Sequence, residues 1–250
     1  MRWLPLQGAA NGRDLGGLPL HGGGVTRPGV LLRTDNLQDL TDADVRLLVD
    51  ELSVRVVVDL RTGMEVEQEG PGPLTREPAV EIRHRSLYPE AGHTTDLDVL
   101  PWNTFDRHGH VDESPAVRAY LNYLRNRPDS VVEALRDIAY ADGAAVVHCA
   151  AGKDRTGVVC AFALAVAGVP HEAIVADYVA TDERIDAIVA RLAASPTYAG
   201  DIHVEQTDRH RPRAETMERV LELVDVPGWL AGHGFGEGDV AALRARLAQQ

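Results

Sequence analysis

The stretch "VVHCAAGKDRTGVVCAFALAVAG", Val146 to Gly168, passes from β-branched residues through a histidine and a cysteine into small residues, then into a long apolar run. A short apolar run bounded by turn residues reads as a buried strand, here Ala144 to His148. Val158 to Val169 carries no charge and reads as the body of a helix closed by Gly168 and Pro170. Between strand and helix the backbone of Ala150, Ala151, Gly152, Lys153 and Asp154 must reverse. Successive N–H groups in such a turn, followed by a helix N-terminus, make an anion nest. Small side chains at Ala150, Ala151 and Gly152 let an oxyanion approach that backbone. Arg155, six residues after Cys149, adds a planar fork able to hold two oxygens of a tetrahedral dianion. The same positive field favours the thiolate of Cys149. A sulfur nucleophile at the floor of a phosphate-shaped cradle is what phosphoryl transfer through a covalent intermediate requires.

Around this stretch the chain alternates strand and helix. "GVLLRTDNL" (Gly29 to Leu37) contains a short strand. "TDADVRLLVDEL" (Thr41 to Leu52) follows as a helix capped by Thr41, with Val45, Leu48, Val49 and Leu52 on one face. The unbroken valines of "SVRVVVDLRT" predict a strand buried on both faces, as in a parallel sheet. "TGMEVEQEG" reads as a short helix and "AVEIRHRSLY" as a third strand. Residues 89–114, rich in Pro, Gly, His and Asp, read as an irregular excursion over a site. Two amphipathic helices divided by Pro128 precede the cysteine strand, and everything from His171 onward has a helical pattern. The expected fold is α/β, with a small, mostly parallel central sheet flanked by helices. The expected organisation is one domain over 1–250, with a core at about 5–190 and a helical extension at 191–250.

Composition narrows the function. Hydrophobic residues make up 44% and charged residues 25%, ordinary for a folded globular chain. The formal net charge of −13 argues against nucleic acid or an anionic membrane as a bulk partner, since both reward positive surface. Two cysteines cannot make a disulfide framework, which points to a reducing, cytoplasmic setting. The N-terminal "MRWLPLQGAANGRD" has no continuous apolar core and no small-residue cleavage site, so no signal peptide is expected. No run is long and apolar enough for a membrane span.

The order H-C-x5-R-[ST]-G is similar to the signature of the cysteine-dependent phosphatases. "HCAAGKDRTG" resembles most closely the bacterial tyrosine-phosphatase-like group that includes listerial and mycobacterial dual protein/lipid phosphatases. "NGRDLGG" (Asn11 to Gly17), "RPGVLLRTDNL" (Arg27 to Leu37), "VVDLRTGMEVE" (Val57 to Glu67) and "IVADYVATDE" (Ile174 to Glu183) resemble that group's recurring segments, in the same order. One departure is Gly12, where the group usually carries an aromatic residue. The resemblance implies a dual-specificity-like cysteine-phosphatase fold with extra C-terminal helices, no cofactor, and phosphorylated protein or phosphoinositide-type lipid as substrate. Few aromatics and an individual 90–114 segment keep a small phosphorylated metabolite, such as a nucleoside or sugar phosphate, as the alternative.

Roles follow residue by residue. Cys149 is the expected nucleophile and Arg155 the phosphate clamp, with Ala150, Ala151, Gly152, Lys153, Thr156 and Gly157 forming the rest of the cradle. Thr156 is expected to donate its hydroxyl to the sulfur, and His148 to orient the loop. The Trp-Pro-Asp order of other tyrosine phosphatases is absent. The family resemblance makes Asp154 the first choice of general acid. Glu90, which matches a position where relatives carry aspartate, is the second. Lys153 is a candidate for selecting substrates with additional phosphates. Arg13, Arg33, Asp59 and Arg61 are candidates for the substrate rim, with structural ion pairs to Asp14, Asp35 or Asp59 as the plainer reading. Cys160 reads as a core residue. "DRHGH" (Asp106 to His110) lacks a metal-ligand spacing, and no metal is expected. "HGGGV" (His21 to Val25) reads as a hairpin or loop. Rhodanese-type sulfur-transfer proteins also seat a cysteine in an anion-binding loop, but usually lack an arginine at this spacing followed by Thr-Gly. An inactive phosphate-binding module is opposed by the joint presence of cysteine, arginine and a loop carboxylate.

Overall fold

The computed structural model describes residues 1–91, 94–95 and 112–249. Its centre is the strand Ala144–His148, all five residues of which are buried. Ala145 and Val147 face one core, Ala144 and Val146 the other. This alternation explains the continuous apolar run, because both faces are covered. In chain order the main sheet uses β1 (Arg2–Trp3), β2 (Arg13–Asp14), β3 (Leu31–Thr34), β4 (Val54–Asp59), β5 (Glu81–His84) and β6 (Ala144–His148). Their spatial order is β1-β2-β3-β6-β4-β5. The pairs β3·β6, β6·β4 and β4·β5 are parallel, while β1·β2 and β2·β3 are antiparallel. The mixed α/β fold with a mostly parallel sheet is therefore as expected. The two-residue strands β1 and β2 are additions, since two residues carry no readable period.

Helices cover the two faces unequally. On one side lies α1 (Asp42–Arg46), which widens to π-type turns over Leu47–Glu51 and packs Leu48 and Val49 on Val54 and Val57. Thr41 caps it as expected, accepting from the Asp44 N–H. A short helix α2 (Gly63–Glu69) follows β4 and is capped by Thr62. The other face carries α3 (Pro115–Asn126), α4 (Pro128–Ala139), α5 (Asp154–Ala167) and α6 (His171–Ala180). Helix α5 is apolar all round because α4, α6 and the C-terminal helices enclose it. Gly168 ends α5 at φ +91°, the left-handed cap expected of it.

Beyond α6 come α7 (Ile185–Ala194), α8 (Ala214–Leu223), α9 (Val226–Gly232) and α10 (Glu237–Leu247). Met217, Val220, Leu230, Phe235, Leu243 and Leu247 join the same core cluster as β6 and α5. Val25–Thr26 pairs with Ala248–Gln249, tying the C-terminal end back to the segment after the "HGGG" turn. Among the described residues no helix is long and apolar enough to cross a membrane. Glu90–Ala91 pairs with Thr94–Thr95. Most of the expected 89–114 excursion, including "DRHGH", lies outside the described residues.

Thr34 and Asp59 are both in register with His148, so β3, β6 and β4 end together. Loops at the C-terminal ends of adjacent parallel strands converge on one crevice, which is where ligands bind in open α/β sheets. Cys149 is the first residue past the middle strand.

Candidate active site

The turn after β6 is shaped by what its carbonyls bind. The Asn36 N–H donates to Ala150 O at 3.1 Å. Asn11 Nδ2 donates to Ala151 O and Gly152 O, each at 3.0 Å. Arg33 Nη2 donates to Gly152 O at 2.7 Å, and the Gly157 N–H to Lys153 O at 2.8 Å. In a trans peptide the N–H points opposite to its carbonyl. Holding these oxygens outward therefore turns the following N–H groups toward the cavity. Among the described residues, the N–H groups of Ala150, Ala151, Gly152 and Lys153 donate to nothing. Gly152 sits at φ +64°, and a Cβ there would lie 2.3 Å from Thr34 O, so only glycine fits.

Arg13 and Arg33 do not form a substrate rim; both are buried behind the loop. Arg13 Nε and Arg33 Nη1 bind the two oxygens of Asp177, at 2.8 and 2.6 Å. Arg13 Nη2 also reaches Asp177 O and Thr181 Oγ1. The expected partners Asp14 and Asp35 are not the ones they use. Burial, and next the Arg33 charge, pull Arg13 down to about 10. Burial raises and the two guanidinium groups lower Asp177, which ends below the usual carboxylate range. Two cations share one carboxylate, leaving positive charge close behind the loop. Asp59 and Arg61 are likewise buried. Arg61 Nη2 binds Asp59 Oδ2 at 2.6 Å and its Nη1 donates to Asn36 Oδ1, while His148 Nε2 lies 3.5 Å from Asp59 Oδ1. Burial works against the Asp59 anion, but His148 and Arg61 hold it well below the usual range. Of these strand-end side chains, Arg33 donates directly to a loop carbonyl, while Arg13, Asp59 and Arg61 are held in pairs behind it.

In front of the loop, Cys149 is 2% exposed and Arg155 is held end-on by Glu65. Arg155 Nη1 and Nη2 reach Glu65 Oε2 and Oε1 at 2.6 and 2.8 Å. Burial opposes both charges, yet each keeps the other ionised: Glu65 is lowered and Arg155 raised. The Nε–H of Arg155 has no described acceptor and is left for a phosphate, whereas Nη2 donates to both Glu65 and Tyr198. Tyr198 Oη lies 3.4 Å from Nη2 and donates to Glu65 Oε1. Glu65 was not singled out from the sequence. Its signal was the Thr62-x-x-Glu65 capping box, in which the Thr62 N–H donates to Glu65 at 2.7 Å. Nothing in that pattern announces an arginine ninety residues away.

The remaining expected residues divide. Asp154 lines the cavity beside Cys149 and Arg155, and Tyr120 donates to its Oδ1 at 2.5 Å. Lys153 also lines it, but its ammonium donates to His210 O at 2.6 Å and so is already engaged. Thr156 Oγ1 is buried with no hydrogen-bond partner, leaving an unused donor within the loop. Glu90 does not line the cavity; its carboxylate accepts from the Gly63 N–H at 2.6 Å, at the start of α2. At Gly12, Leu6 Cδ1 stands 2.6 Å from where a Cβ would be, so Leu6 fills the place of a larger side chain. Cys160 is buried in α5, its thiol pushed up to about 12 chiefly by burial. Among the described residues no cluster of His, Cys, Asp or Glu is arranged to hold a metal ion.

The cavity over Cys149 measures about 760 Å³. Its floor is the loop, Arg155 and Glu65. Tyr88 and Tyr123 form one side, with the Arg155 guanidinium 5.4 Å from the Tyr88 ring centroid. Part of the lining is aliphatic: Ile185, Ile188, Val189 and Leu192 from α7, and Ile202 beyond it.

A cysteine in an N–H-lined loop at the ends of parallel strands, with an arginine clamped over it, defines a protein-tyrosine-phosphatase-like enzyme. A family model described as "Tyrosine phosphatase family" matches residues 4–249, so the chain belongs to that family. It is 30% identical over 235 residues to a tyrosine-protein phosphatase of Nostoc commune, covering 87% of this chain and 74% of that one. It is also 30% identical over 207 residues to the triple specificity protein phosphatase PtpB of Mycobacterium tuberculosis, covering 75% and 72%. The family match to residue 249 takes in helices α8–α10.

Asp177→Asn leaves two buried arginines without a counter-ion and should lower unfolding free energy by about 3–5 kcal/mol in urea titration. Because folding lowers the Asp177 pKa, its contribution is present above about pH 4 and is lost as pH falls through the lower folded value. The difference between wild type and variant should shrink in acid. A cost under about 1 kcal/mol at pH 7 removes the triad as a support. Gly152→Ala should abolish phosphate binding by calorimetry while the far-UV circular dichroism stays folded; unchanged binding contradicts the need for φ > 0 there.

Proposed function

We propose that this enzyme hydrolyses phosphomonoesters through a phosphocysteine on Cys149, without a metal ion. The observation that carries the reading is one cavity lined by Cys149 and Arg155, over loop N–H groups that have no partner among the described residues. Cys149 thiolate attacks phosphorus in line, forming the S–P bond as the P–O bond to the leaving group breaks. The loop N–H groups and Arg155 take the charge on the equatorial oxygens. Asp154 gives its proton to the departing oxygen. A water then attacks the thiophosphate, giving a proton to the Asp154 carboxylate, and inorganic phosphate leaves as the thiolate reforms. The unpartnered Thr156 hydroxyl is available to donate to the departing sulfur. Glu90, committed to Gly63, is the weaker candidate for the acid.

The substrate class we favour is phosphotyrosine in protein, or a phosphoinositide-type lipid, over a sugar or nucleoside phosphate. The aliphatic wall from Ile185 to Ile202 supports this, since it rewards an apolar body next to the phosphate. Burying one aromatic or aliphatic side chain's worth of surface is worth about 1.5–3 kcal/mol, or roughly ten- to a hundred-fold in binding. The triple specificity printed for the mycobacterial relative agrees with such breadth. Lys153, with one of its three donors on the His210 carbonyl, would offer the others to a second phosphate.

Turnover of p-nitrophenyl phosphate should persist in EDTA and vanish in Cys149→Ser, which should still bind phosphate. Chelator-sensitive turnover, or an active serine variant, contradicts the mechanism. Across a panel, kcat/KM for phosphotyrosine peptides or phosphoinositides should exceed that for sugar and nucleoside phosphates by about ten-fold or more. The reverse order would establish the metabolite reading instead.

A further inference from the structure

Asp154 does not stand alone in the cavity. It is the first residue of α5, its side chain is 37% exposed, and Lys153 Nζ lies 3.6 Å from its Oδ2. Its other oxygen is reached from below by a hydroxyl with almost no exposure. Tyr120, on α3, is 1% exposed and donates to Oδ1 at 2.5 Å. The same Tyr120 oxygen lies 2.8 Å from Tyr178 Oη on α6. A phenol carries a single donor. With that donor spent on Asp154, Tyr120 must accept from Tyr178, so the chain runs Tyr178 O–H to Tyr120 O–H to Asp154 Oδ1. The Tyr120 ring is fixed by stacking on Tyr123 at 5.9 Å and by the edge of Tyr178 at 6.3 Å.

We propose that Tyr120 is a positioning residue for the phosphatase reaction: it holds the Asp154 carboxyl by Oδ1 and so assigns the transferable proton to Oδ2. The proposal rests on the reading of Asp154 as general acid. An aspartate at the mouth of a cavity has several rotamers open to it, and a proton on either oxygen. Occupying Oδ1 with a permanent donor removes both freedoms. The same oxygen accepts from Tyr120 whether the carboxyl is protonated or ionised, so the geometry survives both half-reactions. Burial first, and then the Asp154 charge, hold the Tyr120 hydroxyl well above the ordinary phenol range, which keeps it a donor.

The test compares phenyl phosphate, with a poor leaving group, to p-nitrophenyl phosphate, with a good one. Tyr120→Phe keeps the stacked ring and should cut kcat/KM for phenyl phosphate about 10- to 100-fold, the scale of a misplaced catalytic group. The loss on p-nitrophenyl phosphate should be under about three-fold, and inhibition by inorganic phosphate unchanged, because a good leaving group and a bound dianion need no acid. On an Asp154→Asn background the substitution should cost nothing further, since Tyr120 acts only through Asp154. Tyr178→Phe, which removes the orienting donor and leaves Tyr120 in place, should give the same pattern at smaller size. Equal losses on both phosphates, or a full loss added on top of Asp154→Asn, overturn the proposal. If Asp154→Asn itself slows both phosphates equally, the general-acid reading falls first and the positioning role with it.

Discussion

Everything at the site depends on the loop carbonyls being held outward. A peptide that turns its oxygen away must turn the next N–H inward, and the three consecutive peptides with carbonyls on Ala150, Ala151 and Gly152 do so here. A carbonyl buried without a donor costs about 1–3 kcal/mol, so the outward face needs donors of its own. Asn11, Arg33 and the Asn36 N–H supply them. A buried arginine then needs a carboxylate, which brings in Asp177, and Asp177 in turn takes Arg13. One geometric demand thus propagates from the turn through β3 and the N-terminal segment to α6.

Such a scaffold is a poor choice for stability alone. Replacing buried ion pairs by packed apolar groups is often neutral or favourable, and no apolar group can hold a carbonyl. The charge has a second use. The chain as a whole is strongly acidic, with a formal net charge of −13, yet the loop sits between Arg33 behind and Arg155 in front. Inside a buried site those charges act through a lower effective dielectric than on the surface. Local field and global charge are therefore decoupled, and the acidic exterior does not argue against an anionic substrate.

The sequence carried the cradle because the cradle is local. Cys149, Arg155 and the small residues between them fall within seven positions, and strand and helix on either side announce themselves by hydrophobicity. The supports are not local. Asn11, Arg33, Asp59, Glu65 and Asp177 sit in the very segments whose resemblance to the phosphatase group was noted, but their partnerships cross as many as 164 positions. Their burial could not be read, because a lone arginine or aspartate at a strand end looks the same whether it faces water or a carbonyl. Hence Arg13 and Arg33 could be read as rim or, more plainly, as ion pairs, but their shared partner Asp177 could not be named.

The floor and the wall of the cavity obey different physics, and that division bears on how one site handles different bodies. On the proposed function the floor would recognise phosphate by its loop N–H groups and a guanidinium clamped end-on by Glu65. The wall, built from aliphatic residues of α7 and Ile202, is non-directional and sensitive only to apolar area. On the proposed function, one rigid anion cradle beside an undiscriminating apolar wall would favour phosphomonoesters that carry a hydrophobic body. Depth is what remains to discriminate. Cys149 is only 2% exposed, and an attacking sulfur must come within about 3–3.5 Å of phosphorus. On the proposed mechanism, a substrate must therefore bring its phosphate down to a sulfur that has almost no exposed surface.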